Sequence, residues 1–139
     1  MRHVGGARAM RAWQLQGGFG LERLHLVEHQ QGAPRRGEVR VRVSACSLNR
    51  RDLMMCEGTY NPRQPLPLVP LSDGVGVVES VGPDVTCVEV GDRVAGMFCP
   101  QWLAGAPTRD VMRSTLGGPL PGMLQECVVL PAEGVARVP

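Results

Sequence analysis

Asn49 and Asp52 stand three residues apart where an alternating pattern breaks off, and their types and spacing suggest a built site. An amide followed three positions later by a carboxylate has the logic of a capping box, in which two side chains satisfy backbone groups at a helix start. Polar residues at the end of a strand also line clefts. Both uses can hold at once, because a cap takes the amide oxygen and leaves the NH2 free to donate. Tyr60 is the one tyrosine of the chain. Its phenol could donate to a carbonyl or relay a proton, or its ring could simply flank a turn and pack on Pro62. His25 falls on the outward phase of a strand and His29 near that strand's end, so both are expected to be solvated. The five cysteines are widely spaced and form no CxxC pair. That supports neither a disulfide framework nor a zinc ribbon, and it predicts reduced, mostly buried thiols in a cytoplasmic protein.

The elements that must position these residues follow from period and punctuation. Glu38 to Ser44 alternates, with Val39, Val41 and Val43 on one face and Arg40, Arg42 and Ser44 on the other, the period of a half-buried strand with a charged outer face. Arg50 to Cys56 then reads as a helix of barely two turns closed by Gly58. Upstream, Met10–Gln16 (Trp13 and Leu15 inward) and Leu21–Glu28 (Leu24 and Leu26 inward) flank a GGFG turn and read as a hairpin. Residues 1–9 read as an unstructured extension.

Downstream of Tyr60, Pro62, Pro65, Pro67 and Pro70 exclude helix and central strand, which leaves a rigid extended crossing. Gly74 to Gly82 reads as a strand with small residues where another backbone comes close. It contains GxG, but Glu79 stands where a dinucleotide fingerprint has its third glycine, and the segment opens no helix. Two short strands are expected about the Gly91-Asp92 turn, then an excursion from Cys99 to Gly122. Thr108 could cap a helix there through Thr115, and Trp102 either walls a pocket or anchors the loop in the core. Met123–Leu130 and Val135–Val138 complete the set. Many short strands with Gly/Pro turns predict a mainly β, closed or partly open barrel with short helices.

At 139 residues the chain is one domain. A net charge of +2 argues for neither nucleic acid nor an anionic membrane surface. All basic residues are arginine, scattered along the chain rather than patched. No apolar run reaches the roughly 18 residues of a membrane span, and no apolar stretch follows Arg2, Arg8 and Arg11 to make a secretory signal.

In combination, GEVRVRVSACSLNRRDL (37–53), VPLSDGVGVVESVGPDV (69–85), VEVGDRVAGMF (88–98) and LQECVVLPAEGVARVP (124–139) resemble the N-terminal, GroES-like catalytic domain of medium-chain dehydrogenases/reductases. SLNRRDL with PLSDG is similar to the zinc-independent branch that includes quinone oxidoreductases and alcohol dehydrogenase-like proteins. The resemblance implies a GroES-like, partly open β-barrel over residues 10–139, and a Rossmann cofactor domain that these residues do not contain. Where zinc enzymes of the superfamily place a cysteine ligand this sequence has Asn49, and where they place a His-Glu pair it has Ser72-Asp73. Their four-cysteine structural zinc lobe is also missing. An amide, a hydroxyl and one carboxylate are poor zinc ligands, so no metal is expected.

The resemblance assigns Asn49, Tyr60, Ser72 and Asp73 to the substrate side. Ser72 and Asp73 would be a hydrogen-bonded pair, and Arg50 would be either a cofactor pyrophosphate contact or a solvated helix-face charge. Arg51 occupies the place of the zinc enzymes' relay hydroxyl, so that relay does not carry over. Asp52 is expected to be structural. The implied activity is NAD(P)H-dependent reduction of a small carbonyl, enone or quinone, with hydrogen-bond donors stabilising the oxygen that gains charge. The resemblance implies a homodimer for the complete enzyme, while this chain alone should bind no cofactor and be inactive. The alternative is a stand-alone, non-enzymatic GroES-like barrel serving as an interaction module, since fold does not imply function.

Overall fold

A computed structural model describes residues 7–139; of the expected extension 1–9, residues 1–6 lie outside them, and Arg8 and Ala9 belong to the first strand rather than to an extension. β1 (Arg8–Leu15) and β2 (Leu24–Gln31) form an antiparallel hairpin, joined through a single 3-10 turn at Leu21–Arg23. The first strand begins two residues before the expected Met10. β3 (Glu38–Cys46), α1 (Arg50–Glu57), β4 (Gly74–Val81), β5 (Arg93–Gly96), α2 (Arg109–Met112), β6 (Cys127–Pro131) and β7 (Val135–Arg137) follow in chain order. Five of these strands make one antiparallel sheet in the order β6-β3-β4-β5-β7.

The hairpin is tied to segments outside the strands of that sheet: Trp13 N–H donates to the Leu124 carbonyl at 3.0 Å, Glu126 N–H donates to the Arg11 carbonyl at 3.0 Å, and Leu15 and Leu68 exchange bonds at 2.8 and 3.1 Å. No continuous ladder closes the two sheets on each other, so the barrel is partly open. Val39, Val41, Val78, Val94, Leu116, Met123, Val128 and Leu130 fill its centre. Burial of such side chains is the main favourable term for a small domain.

The valine face of β3 is as the alternation predicts: Val39 and Val41 are buried and Val43 half-buried. Its outer face is not uniformly charged and wet. Arg40 is only 7% exposed and its Nε lies 3.2 Å from Glu79 Oε2, while Arg8 binds Glu79 Oε1 at 2.8 Å. The start of β1 thus reaches over the sheet and meets a carboxylate that the period of β4 alone would put in solvent.

The hairpin departs further from its predicted phase. Met10, Ala12 and Leu15 point in, whereas Trp13 and its cross-strand partner Leu26 are exposed. Two-stranded ribbons twist strongly, and here the inward positions slip from even to odd along β1. His29 is half-buried, with Nε2 enclosed and without a partner, rather than solvated; His25 is exposed as expected. Only one strand forms about Gly91, because residues 85–92 turn instead, with Asp92 Oδ2 accepting from Glu89 N–H at 2.9 Å. Thr108 caps α2 through its hydroxyl, which accepts from Val111 N–H at 3.3 Å, but the helix stops at Met112. Trp102 is partly exposed and its indole N–H donates to the Gly105 carbonyl at 3.0 Å, a contact within the excursion.

Gly76 explains the small residues of β4. A Cβ there would run into the Arg42 carbonyl of the neighbouring strand, and backbone in mid-sheet cannot move aside as a side chain could. Gly76→Ala is expected to cost about 2 kcal/mol by overpacking, read as a lower urea midpoint at unchanged m. A stability within experimental error of the parent would show that β3 and β4 can part locally.

Candidate active site

β3 ends at Cys46 and α1 begins at Arg50, so Ser47, Leu48 and Asn49 form a three-residue bridge between them. β4 starts opposite, pairing Gly74 with Cys46, and the ladder continues one step as Ser47 N–H donates to the Asp73 carbonyl at 3.1 Å. This antiparallel end, rather than any sequence motif, brings residues 47–49 against residues 72–73.

Two carboxylates divide the work. Asp52 is 4% exposed and binds backbone: Oδ2 accepts from Asn49 N–H at 2.9 Å, within the expected capping box, and Oδ1 accepts from Ser72 N–H at 3.1 Å. It holds the helix start to the segment that carries Ser72, as its structural reading requires. Asp73 binds side chains: its Oδ2 accepts from Asn49 Nδ2 at 2.6 Å and from the Ser72 hydroxyl at 2.8 Å. Asn49 Nδ2 also donates to Ser47 Oγ at 3.2 Å. The residue before Ser72, Leu71, is buried with φ of 75°, a left-handed conformation that a branched side chain adopts only where its surroundings enforce it.

Asn49, Ser72 and Asp73 therefore meet, but the NH2 of Asn49 is not free, contrary to the expectation that capping would spare it. Both its protons are engaged, one by a carboxylate. Tyr60 does not join this network. Its exposed ring lies under the Arg51 guanidinium, 4.8 Å from Cζ to ring centroid, with Phe98 at the same distance. Arg50 is exposed with no polar partner among the described residues. With Leu48, Asn49, Leu53, Pro70, Leu71 and Leu124 it lines a largely apolar cavity of about 430 Å³.

An adjoining groove shares Leu48, Leu71 and Leu124 and includes Trp13, Leu26 and Cys46. Burial first and Asp52 second push the Cys46 thiol up, and Cys56 on the cavity wall is raised by the same two causes and by Glu57. Neither is poised as a thiolate nucleophile. On the groove rim Glu126 is held below the usual carboxylate range by hydrogen bonds from the Arg11 backbone N–H and guanidinium.

The sequence pattern of the alcohol dehydrogenase GroES-like domain matches residues 35–139. The chain belongs to that family. This GroES-like domain is 45% identical over 103 residues to a zinc-type alcohol dehydrogenase-like protein of Schizosaccharomyces pombe, covering 74% of the chain and 30% of that protein. It superimposes on the quinone oxidoreductase of Pseudomonas syringae pv. tomato with a TM-score of 0.70 at 32% identity, over 95% of this chain and 34% of that one. An NAD-dependent alcohol dehydrogenase aligns with a TM-score of 0.78 at 34% identity, over 94% of this chain and 40% of that one. The GroES-like domain thus spans less than half the length of each of these relatives. Among the described residues no helix is long and apolar enough to cross a membrane.

Sequence reasoning did not single out Ser47 or Leu71, and it read Arg51 only as a missing relay. Ser47 carried one signal, its place between the strand end and the cap.

Proposed function

We propose that this GroES-like domain is the substrate-side half of a zinc-independent, NAD(P)H-dependent cytoplasmic oxidoreductase acting on a carbonyl, enone or quinone. The nucleotide-binding unit lies outside these 139 residues, and the chain alone is inactive. The observation that carries this reading is the convergence of Ser72 and Asn49 on Asp73 Oδ2 beside the apolar cavity.

Zinc does not fit that donor set. Metal-bound zinc sites use thiolate, imidazole and carboxylate, whereas here one carboxylate oxygen already accepts two hydrogen bonds and its neighbours are an amide nitrogen and hydroxyls. Among the described residues no three His, Cys, Asp or Glu side chains gather.

A nicotinamide fits the site from one side. Leu48, Leu53, Pro70 and Leu71 offer it an apolar wall, and Arg50 offers a planar fork suited to a pyrophosphate. When bound, it supplies a hydride. The domain's own residues exclude water along the apolar wall, where a hydrogen-bond donor would stabilise the oxygen that gains charge. Neutral donors polarise a carbonyl less than a Lewis acid does, which favours enones and quinones over simple ketones.

The test is NAD(P)H oxidation by the full-length protein with a quinone, an enone and a simple ketone, before and after dialysis against a chelator, with zinc measured on the same sample. Substoichiometric zinc and chelator-insensitive turnover of the quinone or enone are expected. One zinc per chain, lost together with activity, would overturn the zinc-independent reading. NAD(P)H binding by residues 1–139 alone would overturn the half-site reading.

A further inference from the structure

The proton inventory at Asp73 identifies a donor that the resemblance did not. Asp73 is an acceptor when ionised, so the atom of Asn49 at 2.6 Å from it must be the NH2 and not the oxygen. That orientation directs the second amide proton at Ser47 Oγ, 3.2 Å away. An amide nitrogen has no lone pair to offer, so Ser47 can only accept in this contact, and its own O–H proton is left over. Ser72 has no such freedom, because its hydroxyl donates to Asp73 at 2.8 Å. Among Ser47, Asn49, Ser72 and Asp73, one side-chain proton therefore has no acceptor among the described residues, and it belongs to Ser47. The residue is exposed and hydrogen-bonded to Asn49, which lines the apolar cavity of about 430 Å³.

We propose that the Ser47 hydroxyl is the donor to the substrate oxygen, and that Asn49 and Asp73 are positioning residues which hold it oxygen-in, proton-out. The inference rests on the oxidoreductase reading above and deepens it. A hydroxyl that accepts a hydrogen bond becomes a better donor, so the Asp73–Asn49–Ser47 chain both orients and strengthens that O–H. A dihydronicotinamide, when bound, would supply one hydride to the electrophilic carbon. The carbonyl π electrons, or those of the conjugated enone, move onto oxygen, where the Ser47 hydrogen bond receives the charge. Solvent then supplies one proton, at oxygen for a ketone or at the α-carbon for an enone. Ser47 ends as it began.

The two candidate donors predict opposite results for one substitution. Ser47→Ala removes the hydroxyl and at the same time releases an Asn49 amide proton. If Ser47 is the donor, kcat for the enone or quinone in the full-length protein falls about 100-fold, the scale of losing one oxyanion donor. The KM for NAD(P)H and the thermal midpoint should hold, and Ser47→Thr should recover most of the rate. If the amide is the donor, Ser47→Ala keeps or raises kcat, and the proposal is wrong.

A readout without turnover uses the carbonyl stretch of a bound, unreactive ketone. It should shift to lower frequency in the parent and lose that shift in Ser47→Ala, and a shift retained in the variant overturns the assignment. Wild-type protein that oxidises no NAD(P)H with any of the three acceptors sinks the underlying reading, and the proposal with it. An active wild type with an active Ser47→Ala sinks only the proposal.

Discussion

Asp52→Ala is expected to lower the unfolding free energy by about 4 kcal/mol, the sum of two backbone N–H bonds to a charged acceptor. One of the orphaned donors, Ser72 N–H, belongs to a residue only 3% exposed, so water cannot readily replace the carboxylate there. The other, Asn49 N–H, opens the first turn of α1. Asp52→Asn keeps the shape but faces an NH2 toward one of the two N–H donors, and about half the loss should remain. Urea unfolding followed by tryptophan fluorescence measures both, and the slope should not change.

The loss should also reach the site, since Asp52 fixes the distance between the Asn49 bridge and the Ser72 segment across which Asp73 gathers its two donors. A destabilisation under about 1 kcal/mol, no more than an ordinary N-cap contributes, would mean that the β3–β4 ladder holds these segments together without Asp52.

What could be read without coordinates follows the range of the interaction. The Asn49–Asp52 box is written into four consecutive residues, and the close approach at Gly76 into a strand that repeats a side chain too small to pack. Both stand in the structure as read. The junction of Ser72 and Asp73 with Asn49 depends on β3 pairing with β4 across 24 residues, which a period cannot show. It came from the resemblance.

The errors have one physical source. Strand alternation places Arg40 in solvent because it ignores what covers a face, and it turns Trp13 inward because it ignores twist. The NH2 of Asn49 reads as free because its carboxylate acceptor, Asp73, lies 24 residues away on another segment. Hydrogen-bond direction is a property of a set of groups, and the set is assembled only by the fold.

Arg51→Ala is the second substitution with a large expected effect. Its guanidinium lies between the Tyr60 and Phe98 rings, 4.8 Å from each centroid. It donates to the Gly118 carbonyl at 2.6 Å, to the Leu116 carbonyl at 3.2 Å and, at 3.5 Å, to the Thr115 hydroxyl. Every one of those acceptors is on the excursion, so the side chain pins residues 99–122 to α1. Removing it discards two cation–π contacts, worth about 1 kcal/mol each at partly exposed sites, and leaves the Gly118 and Leu116 carbonyls short of a charged donor.

The excursion should then open on its own while the β-sheet stays folded. Amide exchange at Leu116, Gly118 and Leu120 is expected to quicken about 100-fold, equivalent to about 3 kcal/mol, and protease cutting within 99–122 should rise with it. Lysine should recover little, because a compact ammonium cannot stack between two rings and still fan out to three acceptors. Faster exchange in β3 and β4 to the same degree would instead make Arg51 part of the global fold. Unchanged exchange at Leu116 and Gly118 would mean that the excursion is held by its own turns. A clamp that acts locally also accounts for Tyr60: its ring is one jaw of the anchor, and this sets it apart from the hydrogen-bond network around Asp73.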